Sequence, residues 1–447
     1  MNYQVAIIGG GPAGYTAAET AAKAGMSVVL FEKKQLGGVC LNEGCIPTKT
    51  LLYAAKVLES AKNAAKYGIL VSDASADLSR LLNRKVKVVR KLALGIKARL
   101  DQAGVNVVNG EAYIENAHTI RCDGEIFGCD YLIVCTGSKT VIPAIDGLES
   151  IDYWTHREAL DCKELPQSLA VIGGGVIGME FAAYFSSLGV RVSVLEMADE
   201  ILSGTDKEIA AMLRTVYEKK GITFLLGRQV TKTERTPDGI RVSFCVEGED
   251  IEQITADKVL LSVGRRPVSE GFGLENLSLS KSEKGHILTD SYMQSSLAGV
   301  YICGDLNGKS LLAHTAVAEA ETAVAHITGN LRPMRYDAIP AVVYTNPEVA
   351  SAGATEESLN AAGVPHHVLR LPMTYSGRFV AENEGVNGLI KLITDEDDVV
   401  LSMHIIGNPA SELIAFGNML ITDGAKSDAL SKYIFPHPTV GEILRDL

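Results

Sequence analysis

Residues 5–14 read Val-Ala-Ile-Ile-Gly-Gly-Gly-Pro-Ala-Gly, the most informative run of the chain for its fold class. The four apolar residues predict a buried strand, and the Gly-x-Gly-x-x-Gly run formed by Gly9, Gly11 and Gly14 predicts a tight turn that opens a helix. A second apolar run, from residue 28 to residue 31, ends on Glu32. This order of strand, turn, helix, strand and acid is typical of dinucleotide-binding units, in which a pyrophosphate lies on the helix N-terminus.

The same pattern recurs at an offset of 164 residues, with Gly173, Gly175 and Gly178 in the turn and Glu196 as the acid. One Gly-x-Gly-x-x-Gly run is weak evidence, but two copies between a strand and a helix predict two dinucleotide sites. A carboxylate repels a 2′-phosphate, and residues 197–199 (Met-Ala-Asp) provide no Arg to bind one. The second site is therefore expected to bind NAD rather than NADP.

Length and charge limit the classes of protein that fit. The chain has 447 residues, more than one hydrophobic core usually holds, and a formal net charge of −12. This charge argues against nucleic acid as a partner, and the basic stretch at residues 80–99 is interpreted as a helix with a solvated face. No targeting segment is visible and no apolar run approaches the ~20 residues of a membrane span, so we expect a cytoplasmic protein with no membrane partner.

Two of the eight cysteines differ from the others in their setting. Cys40 and Cys45 lie in the run Gly-Gly-Val-Cys-Leu-Asn-Glu-Gly-Cys-Ile-Pro-Thr-Lys, and helical sequence resumes at its last residue, Lys49. A helix start stabilises a thiolate, which is the attacking form in disulfide exchange. The spacing fits no common zinc arrangement, so no metal site is expected. The remaining six are expected to be single, mostly buried thiols: Cys122, Cys129, Cys135, Cys162, Cys245 and Cys303.

The cysteine run resembles the redox-active motif of the pyridine nucleotide–disulfide oxidoreductases, a family that includes dihydrolipoamide dehydrogenase, glutathione reductase and mercuric reductase. The resemblance spans nearly the whole chain and includes residues 136–138, 262–267 and 302–305. It implies an α/β fold with two Rossmann-like dinucleotide-binding domains and a C-terminal α+β dimerisation domain. We place an FAD-binding domain at 1–147 and 269–334, an NAD-binding domain at 148–268, and the dimerisation domain at 335–447.

The resemblance also implies FAD and NAD as cofactors and gives roles to single residues. Cys40 and Cys45 would form the redox-active disulfide, with Lys49 near the flavin and Glu180 paired with Lys49. FAD would be held by Gly9, Gly11, Gly14, Glu32, Lys49, Ala112, Thr136, Gly137, Ser138, Asp305, Leu311, Leu312, Ala313 and His314. NAD would be held by Gly173, Gly175, Gly178, Glu196, Val230 and Gly264.

The C-terminal segment carries a match to the family's His-Pro-Thr-x-x-Glu element. A lone His in a Pro-rich turn is usually structural, but the resemblance implies that His437 reaches the cysteines of the partner in a homodimer and acts as a base. Glu442 would orient the imidazole. Phe435 and Gly441 stand where related sequences often carry His and Ser, which leaves the His–Glu pair intact.

Within the family the chain most resembles the dihydrolipoamide dehydrogenases. No Cys follows Cys303, which argues against mercuric and large thioredoxin reductases, and Glu196 argues against the glutathione reductases, which prefer NADP. Tyr15, the pair Ala313-His314 and residues 343–348 favour the same assignment.

The expected reaction is oxidation of dihydrolipoamide by NAD+. The lipoyl group would be carried by a partner protein of a 2-oxoacid dehydrogenase, acetoin or glycine-cleavage complex. Two alternatives stay open. One is an NADH-dependent reductase of another small disulfide, such as a coenzyme A or bacillithiol disulfide. The other is a non-catalytic flavoprotein scaffold, which the presence of Cys40, Cys45 and His437 disfavours.

Overall fold

The computed structural model describes residues 1–246 and 250–447. The chain forms two compact units, each assembled from three segments. The first unit comprises Met1–Thr50, Leu82–Val141 and Gly264–Arg335. The second unit comprises Leu51–Leu81, Ile142–Val263 and Tyr336–Leu447.

The helices and strands follow one another along the chain in three stretches. The first contains β1 (Asn2–Ile8), α1 (Pro12–Lys23), β2 (Val28–Glu32), α2 (Gly38–Glu43), α3 (Cys45–Lys62), α4 (Leu78–Gln102), β3 (Asn106–Asn109), β4 (Ala112–Asn116), β5 (Thr119–Cys122), β6 (Glu125–Val134) and β7 (Ser138–Thr140). The second contains α5 (His156–Leu160), β8 (Ser168–Ile172), α6 (Val176–Ser187), β9 (Arg191–Leu195), α7 (Lys207–Lys219), β10 (Thr223–Leu225), β11 (Gln229–Thr236), β12 (Gly239–Cys245), β13 (Glu252–Ala256) and β14 (Lys258–Leu261). The third contains β15 (Arg265–Pro267), β16 (Val300–Ile302), α8 (Ala313–Ile327), β17 (Ala341–Val343), β18 (Val349–Gly353), α9 (Glu356–Ala362), β19 (His367–Pro372), α10 (Gly377–Glu382), β20 (Leu389–Thr394), β21 (Val400–Ile406) and α11 (Ala410–Thr422).

The first unit is built on a seven-stranded sheet in the order β3-β2-β1-β6-β5-β4, with β16 also paired to β6. β1 runs parallel to β2 and β6, and β16 runs parallel to β6. All five residues of β2 are buried, as expected for a parallel strand covered on both faces of its sheet. Because parallel strands end at a common edge, the segments after β1, β6 and β16 meet there, which is where such sheets bind ligands.

The second unit contains a parallel sheet of order β10-β9-β8-β14, a three-stranded antiparallel sheet β11-β12-β13, and a five-stranded sheet β17-β18-β21-β20-β19. Thr236 pairs with Gly239 across a two-residue turn formed by Pro237 and Asp238, which joins β11 to β12 in a hairpin. In the C-terminal region α11 packs on β18 and β21. The predicted fold class is therefore confirmed: two Rossmann-like sheets and a C-terminal region of mixed α and β structure.

The basic stretch at residues 80–99 is helical, since it lies within the 25-residue helix α4. Among residues 1–246 and 250–447, none of the helices combines the length and the apolar composition needed to cross a membrane.

Two of the six cysteines that stand alone in the sequence are neighbours in the fold. Val134 in β6 pairs with Ile302 in β16, so the next residues along each strand, Cys135 and Cys303, are neighbours. The two thiols interact, and this interaction together with burial raises the pKa of Cys303. The sequence could not indicate this pair because only the register of two strands far apart along the chain creates it.

Candidate active site

The first Gly-rich turn has a backbone that only glycine allows at two positions. Gly9 has φ +100°, and a Cβ added to it would lie 2.4 Å from the carbonyl oxygen of Cys135. A Cβ on Gly14 would lie 1.7 Å from the carbonyl oxygen of Gly9. Gly11 is the N-cap of α1 and has no side chain to cap it, so the first N–H groups of the helix stay available to an anion. A dinucleotide pyrophosphate fits this cradle.

Glu32 ties the end of β2 to this turn. Its buried carboxylate accepts hydrogen bonds from the backbone N–H of Gly10, at 2.7 Å, and of Lys34, at 2.7 Å. The N–H of Gly110 donates to the Glu32 carbonyl at 3.0 Å, and Ala112 then opens β4. The predicted residues Glu32 and Ala112 are thus brought to the same end of the sheet as the turn.

Ser138, Arg265 and Asp305 form a polar network in the first unit. The Ser138 hydroxyl donates to Asp305 Oδ2 and accepts a hydrogen bond from Arg265 Nε at 2.7 Å. Arg265 Nη2 also donates to the Ser138 carbonyl at 2.7 Å. The guanidinium lies 4.0 Å from the Asp305 carboxylate. Sequence reasoning identified Ser138 and Asp305 but not Arg265, which holds them together.

The neighbouring predicted residues lie at loop and helix starts. Thr136 Oγ1 donates to the Val268 carbonyl at 2.7 Å, and Gly137 has φ +70°. Leu311 precedes α8, Leu312 is its N-cap, and Ala313 and His314 are its first two residues. These positions expose backbone groups at the carboxyl edge of the sheet and at a helix N-terminus, both of which suit cofactor binding.

Cys40 and Cys45 lie close together on two successive helices. Cys40 is within α2, and Cys45 begins α3, four residues before the helical sequence that the pattern predicted. A hydrogen bond to Cys45, reinforced by burial, raises the pKa of the Cys40 thiol well above its ordinary value, while the positive charge of Lys49 partly lowers it. The Cys40 thiol therefore keeps its proton beside Cys45.

The segment before the cysteines covers the first Gly-rich turn. The N–H of Gly37 donates to the Gly10 carbonyl at 2.8 Å. A Cβ on Gly38, which has φ +58°, would lie 2.7 Å from the Cα of Gly11. Asn42 Nδ2 fixes the segment by donating to the carbonyls of Leu36, at 3.1 Å, and Gly38, at 2.9 Å. These bonds place the thiol pair beside the dinucleotide cradle.

Tyr15 and Arg99 are further polar side chains near the thiols. Burial raises the pKa of Tyr15, and negative charge on Cys40 raises it further, while Arg99 lowers it. The guanidinium of Arg99 lies 5.8 Å from the centre of the Tyr15 ring. Sequence reasoning noted Tyr15 only as a family likeness and missed Arg99, because α4 is distant from α1 along the chain.

The second Gly-rich turn repeats the first within the second unit. Gly173 has φ +103°, and a Cβ there would lie 2.4 Å from the carbonyl oxygen of Ser262. A Cβ on Gly178 would lie 2.0 Å from the carbonyl oxygen of Gly173. Gly175 is the uncapped N-cap of α6. Glu196 accepts hydrogen bonds from the N–H of Gly174, at 2.6 Å, and of Ala198, at 2.8 Å. This turn also fits a dinucleotide.

The other residues predicted for the NAD side are placed as follows. Val230 lies in β11 opposite Phe244. Gly264, with φ +116°, follows β14 and immediately precedes β15. Glu180 is buried on α6, and its carboxylate accepts a hydrogen bond from the N–H of Tyr344 at 3.1 Å.

His437 and Glu442 form a hydrogen-bonded pair near the C-terminus. His437 Nδ1 lies 2.8 Å from Glu442 Oε2, and since a carboxylate only accepts, the imidazole is the donor. The His437 side chain is 80% exposed, whereas that of Glu442 is 23% exposed. Phe435, where related sequences often have His, packs against Phe416 with ring centres 5.8 Å apart. The carboxylate fixes the imidazole orientation and leaves Nε2 to face outward.

Within the part of the chain that the structure describes, no group of three or more His, Cys, Asp or Glu side chains is arranged to hold a metal ion.

Comparison with known proteins places these features in a family. The pyridine nucleotide-disulphide oxidoreductase model matches residues 3–320, and the dimerisation domain of the same family matches residues 339–447. The dihydrolipoyl dehydrogenase of Thermus scotoductus is 37% identical over 99% of this chain and 96% of its own length. Dihydrolipoyl dehydrogenase 2 of Haloarcula marismortui is 35% identical over 99% of this chain and 95% of its own length.

Solved structures give the same assignment. LpdA from Mycobacterium tuberculosis superimposes with a TM-score of 0.91 at 25% identity, covering 99% of this chain and 98% of that one. The HOCl-induced flavoprotein disulfide reductase RclA from Escherichia coli, as its Cu(II) complex, superimposes with a TM-score of 0.88 at 28% identity, covering 100% and 99%. The two Gly-rich turns, the thiol pair and these matches lead to one conclusion: the chain belongs to the pyridine nucleotide-disulphide oxidoreductase family.

Proposed function

We propose that the protein is a dihydrolipoamide dehydrogenase, which oxidises protein-bound dihydrolipoamide to lipoamide and reduces NAD+. It is a flavin disulfide oxidoreductase that uses FAD and NAD, as its family does. The observation that carries the proposal is the hydrogen-bonded Cys40–Cys45 pair, with Lys49 close enough to act on Cys40. Relatives that align over nearly the whole chain and are named dihydrolipoyl dehydrogenase support the choice of substrate.

The thiol pair would exchange electrons with the substrate by two displacements. With Cys40 and Cys45 joined as a disulfide, one dihydrolipoamide thiolate attacks the Cys40 sulfur, and Cys45 leaves as a thiolate. The second substrate thiol then displaces Cys40 and closes the lipoamide ring. Two electrons pass to the cysteine pair, and Cys40 takes up a proton, in accord with the raised pKa of its thiol.

FAD, when bound, supplies the transfer of this electron pair from the thiols to NAD+ as a hydride. The chain's own contribution is to bind and orient the two nucleotides. Gly9, Gly11 and Gly14 let the backbone approach FAD, and the Ser138–Asp305 pair would hold its sugar-alcohol chain. Gly173, Gly175 and Gly178 would do the same for the NAD pyrophosphate, with Glu196 at the ribose.

His437 is proposed as the base that removes the thiol proton of dihydrolipoamide. Its Nδ1 is engaged by Glu442, so Nε2 would accept the proton, and the carboxylate would stabilise the resulting cation. The match to the family's dimerisation domain supports a homodimer, in which the exposed imidazole would serve the cysteines of the second copy.

The partner would be a lipoyl-bearing protein. The lipoyl group would come from a subunit of a 2-oxoacid dehydrogenase, acetoin or glycine-cleavage complex, because a swinging dithiol on a partner can reach a thiol pair that is only partly exposed.

One observation favours a second candidate. The fold also matches that of the flavoprotein disulfide reductase RclA, so an NADH-dependent reductase of another small disulfide would be built on the same scaffold. In such an enzyme electrons would flow the opposite way, from NADH through the nucleotide sites to Cys40 and Cys45 and then to the disulfide substrate.

A steady-state assay separates the two candidates. The FAD-loaded protein is given dihydrolipoamide with NAD+, and in parallel coenzyme A, bacillithiol and glutathione disulfides with NADH and with NADPH. We expect kcat/KM for dihydrolipoamide to exceed that for each disulfide by at least about 100-fold, which is about 2.7 kcal/mol of transition-state discrimination. A higher kcat/KM for any of the disulfides would reject dihydrolipoamide as the substrate.

A further inference from the structure

A second thiol pair lies in the first unit, apart from Cys40 and Cys45. β16 is parallel to β6, with Val134 opposite Ile302, and Cys135 and Cys303 are the next residues of each strand. The N–H of Cys303 donates to the Val134 carbonyl at 3.1 Å, which keeps the two chains in register at this point. Both cysteines are free thiols.

Both side chains lie on the face of the sheet toward α1. Val134 and Ile302 belong to the hydrophobic cluster on the opposite face, and successive side chains of a strand point to alternate faces. A Cβ on Gly14, in α1, would lie 3.6 Å from the Cβ of Cys135, which confirms the direction. Neighbouring strands lie ~4.8 Å apart, within the Cα separation of ~4.4–6.8 Å that a disulfide spans.

The two sulfurs are not equivalent. Cys303 is 0% exposed and Cys135 is 7% exposed. Interaction with the Cys135 thiol and burial raise the pKa of Cys303 above its ordinary value. Cys135, as the more accessible sulfur, is the member of the pair that an incoming reagent meets first.

We propose that Cys135 and Cys303 form a second redox site, at which a small hydroperoxide converts the two thiols to a disulfide that joins β6 to β16. The proposal is independent of dihydrolipoamide as the substrate of Cys40 and Cys45.

The chemistry balances with hydrogen peroxide as the oxidant. The Cys135 thiolate attacks one peroxide oxygen, the O–O bond breaks, and Cys135 becomes a sulfenic acid while hydroxide leaves. The Cys303 thiol then attacks the sulfenic sulfur, the S–S bond forms, and water leaves. Two thiols lose two electrons and two protons in total, and one peroxide becomes two waters.

Burial explains why this site would stay separate from catalysis. A lipoyl group or a peptide disulfide is too large to reach a sulfur that is 7% exposed in a close-packed sheet edge. A small uncharged peroxide is the class of oxidant that fits, and turnover at Cys40 and Cys45 would leave the second pair reduced.

The experiment removes the catalytic thiols and asks which others react. FAD-loaded Cys40→Ser/Cys45→Ser protein is treated with hydrogen peroxide, then alkylated with N-ethylmaleimide in denaturant, digested without reductant and analysed by mass spectrometry. We expect a linked pair of peptides containing Cys135 and Cys303, two hydrogen masses lighter than the separate peptides. With increasing time in peroxide, Cys135 and Cys303 should lose their ability to be alkylated at least about tenfold faster than Cys129 does.

Cys129 is the matched control. It lies in β6, it is also 7% exposed, and its sulfur donates to the carbonyl of Ala117 at 3.7 Å rather than to a thiol. If peroxide reduced the alkylation of Cys129, Cys135 and Cys303 equally at every concentration, the proposal would be overturned.

Two single variants test the order of events in the same background. In Cys303→Ala the reaction should stop at the Cys135 sulfenic acid, which dimedone traps, and in Cys135→Ala the Cys303 thiol should remain unmodified at the same dose. Retained flavin absorbance shows that each variant is folded. Dimedone labelling of Cys303 in Cys135→Ala, with none of Cys135 in Cys303→Ala, would reverse the proposed roles and overturn the assignment of Cys135 as the attacking sulfur.

Discussion

The two Gly-rich turns of the chain have almost the same backbone but different surroundings. Gly9 and Gly173 have φ values of +100° and +103°. At the first turn Glu32 accepts a hydrogen bond from the N–H of Gly10, and at the second turn Glu196 accepts one from the N–H of Gly174. The first turn is covered by the Gly37-Gly38 segment that leads to the cysteines. At the second, a Cβ on Gly175 would meet no atom within 4 Å, and Val176 is 43% exposed.

This difference indicates how the two cofactors are used. A nucleotide under a covering segment dissociates only when that segment moves, whereas one at an open turn exchanges freely. On the assignment proposed above, the same local geometry would serve a resident cofactor, FAD, at the first turn and an exchanging one, NAD, at the second. The covering segment also carries Cys40, which links cofactor retention to the position of the thiols.

The largest expected effect comes from replacing the cysteine pair that lies beside the first Gly-rich turn. Cys45→Ser should abolish lipoamide turnover and also the long-wavelength thiolate–flavin absorption that one equivalent of dithiol produces. Cys40→Ser should abolish turnover but leave a permanent thiolate band, because Cys45 then has no disulfide partner. Anaerobic titration with visible spectroscopy measures both, and the reverse pattern would exchange the roles of the two sulfurs.

His437→Gln is expected to lower lipoamide turnover by ~10²–10⁴-fold, the usual contribution of a positioned base. Reduction of the flavin by NADH should survive, since it involves only the nucleotide sites. Stopped-flow and steady-state rates separate the two half-reactions.

Subunit mixing tests whether His437 acts on the second copy. A Cys45→Ser chain and a His437→Gln chain, each inactive alone, should regain part of the activity after exchange, because one site of the heterodimer then carries neither lesion. No recovery on mixing, with heterodimers demonstrated, would place the base and the thiols in one chain.

A matched pair of glycine variants tests the covering segment. Gly38→Ala introduces a Cβ 2.7 Å from the Cα of Gly11 at φ +58°, so we expect FAD affinity to fall at least about tenfold, or about 1.4 kcal/mol. Gly175→Ala leaves the first turn unchanged, so FAD affinity should stay the same, whereas the KM for NADH should rise because the added Cβ lies where the NAD pyrophosphate would approach the backbone. Fluorescence titration of the apoprotein with FAD measures the first effect. Equal FAD affinity in the two variants would contradict the role given to the covering segment.

Glu196 should give at least about tenfold preference for NADH over NADPH in kcat/KM, since its carboxylate repels a 2′-phosphate. Glu196→Gln should narrow that preference while keeping an acceptor for the N–H groups of Gly174 and Ala198. Similar kcat/KM values for the two nucleotides with the unmodified protein would reject the assignment of the second turn to NAD.

The smallest effect expected concerns pH. The pKa of Cys40 is raised by its hydrogen bond to Cys45 and by burial, so the proton that it shares with Cys45 is retained when pH rises past the ordinary thiol value of ~8.5. The thiolate–flavin band of the reduced protein should therefore be constant between pH 7 and pH 9, within the error of an anaerobic spectrophotometric titration. A marked change over this range would place the ionisation of Cys40 near its ordinary value.

Much of the fold and of the candidate site could be predicted because the motifs that indicate them are short and local. The turn around Gly9, its repeat around Gly173 and the C-x4-C run each occupy a short stretch whose glycine, acid and cysteine spacing has one physical use. The helix at residues 80–99 is local in the same sense. These features predicted the fold class, the two cofactors and the candidate catalytic thiols.

The features that escaped prediction are pairings between distant segments. Arg265 joins Ser138 to Asp305, and Arg99 reaches Tyr15, only because strands and helices far apart along the chain pack together. The register of β16 on β6 likewise turns Cys135 and Cys303, which read as two single buried thiols, into neighbours. The short motifs could be identified from the amino-acid order alone, because local backbone geometry restricts their residues. Which distant side chains share a site depends on strand register and packing, and sequence spacing does not set those distances.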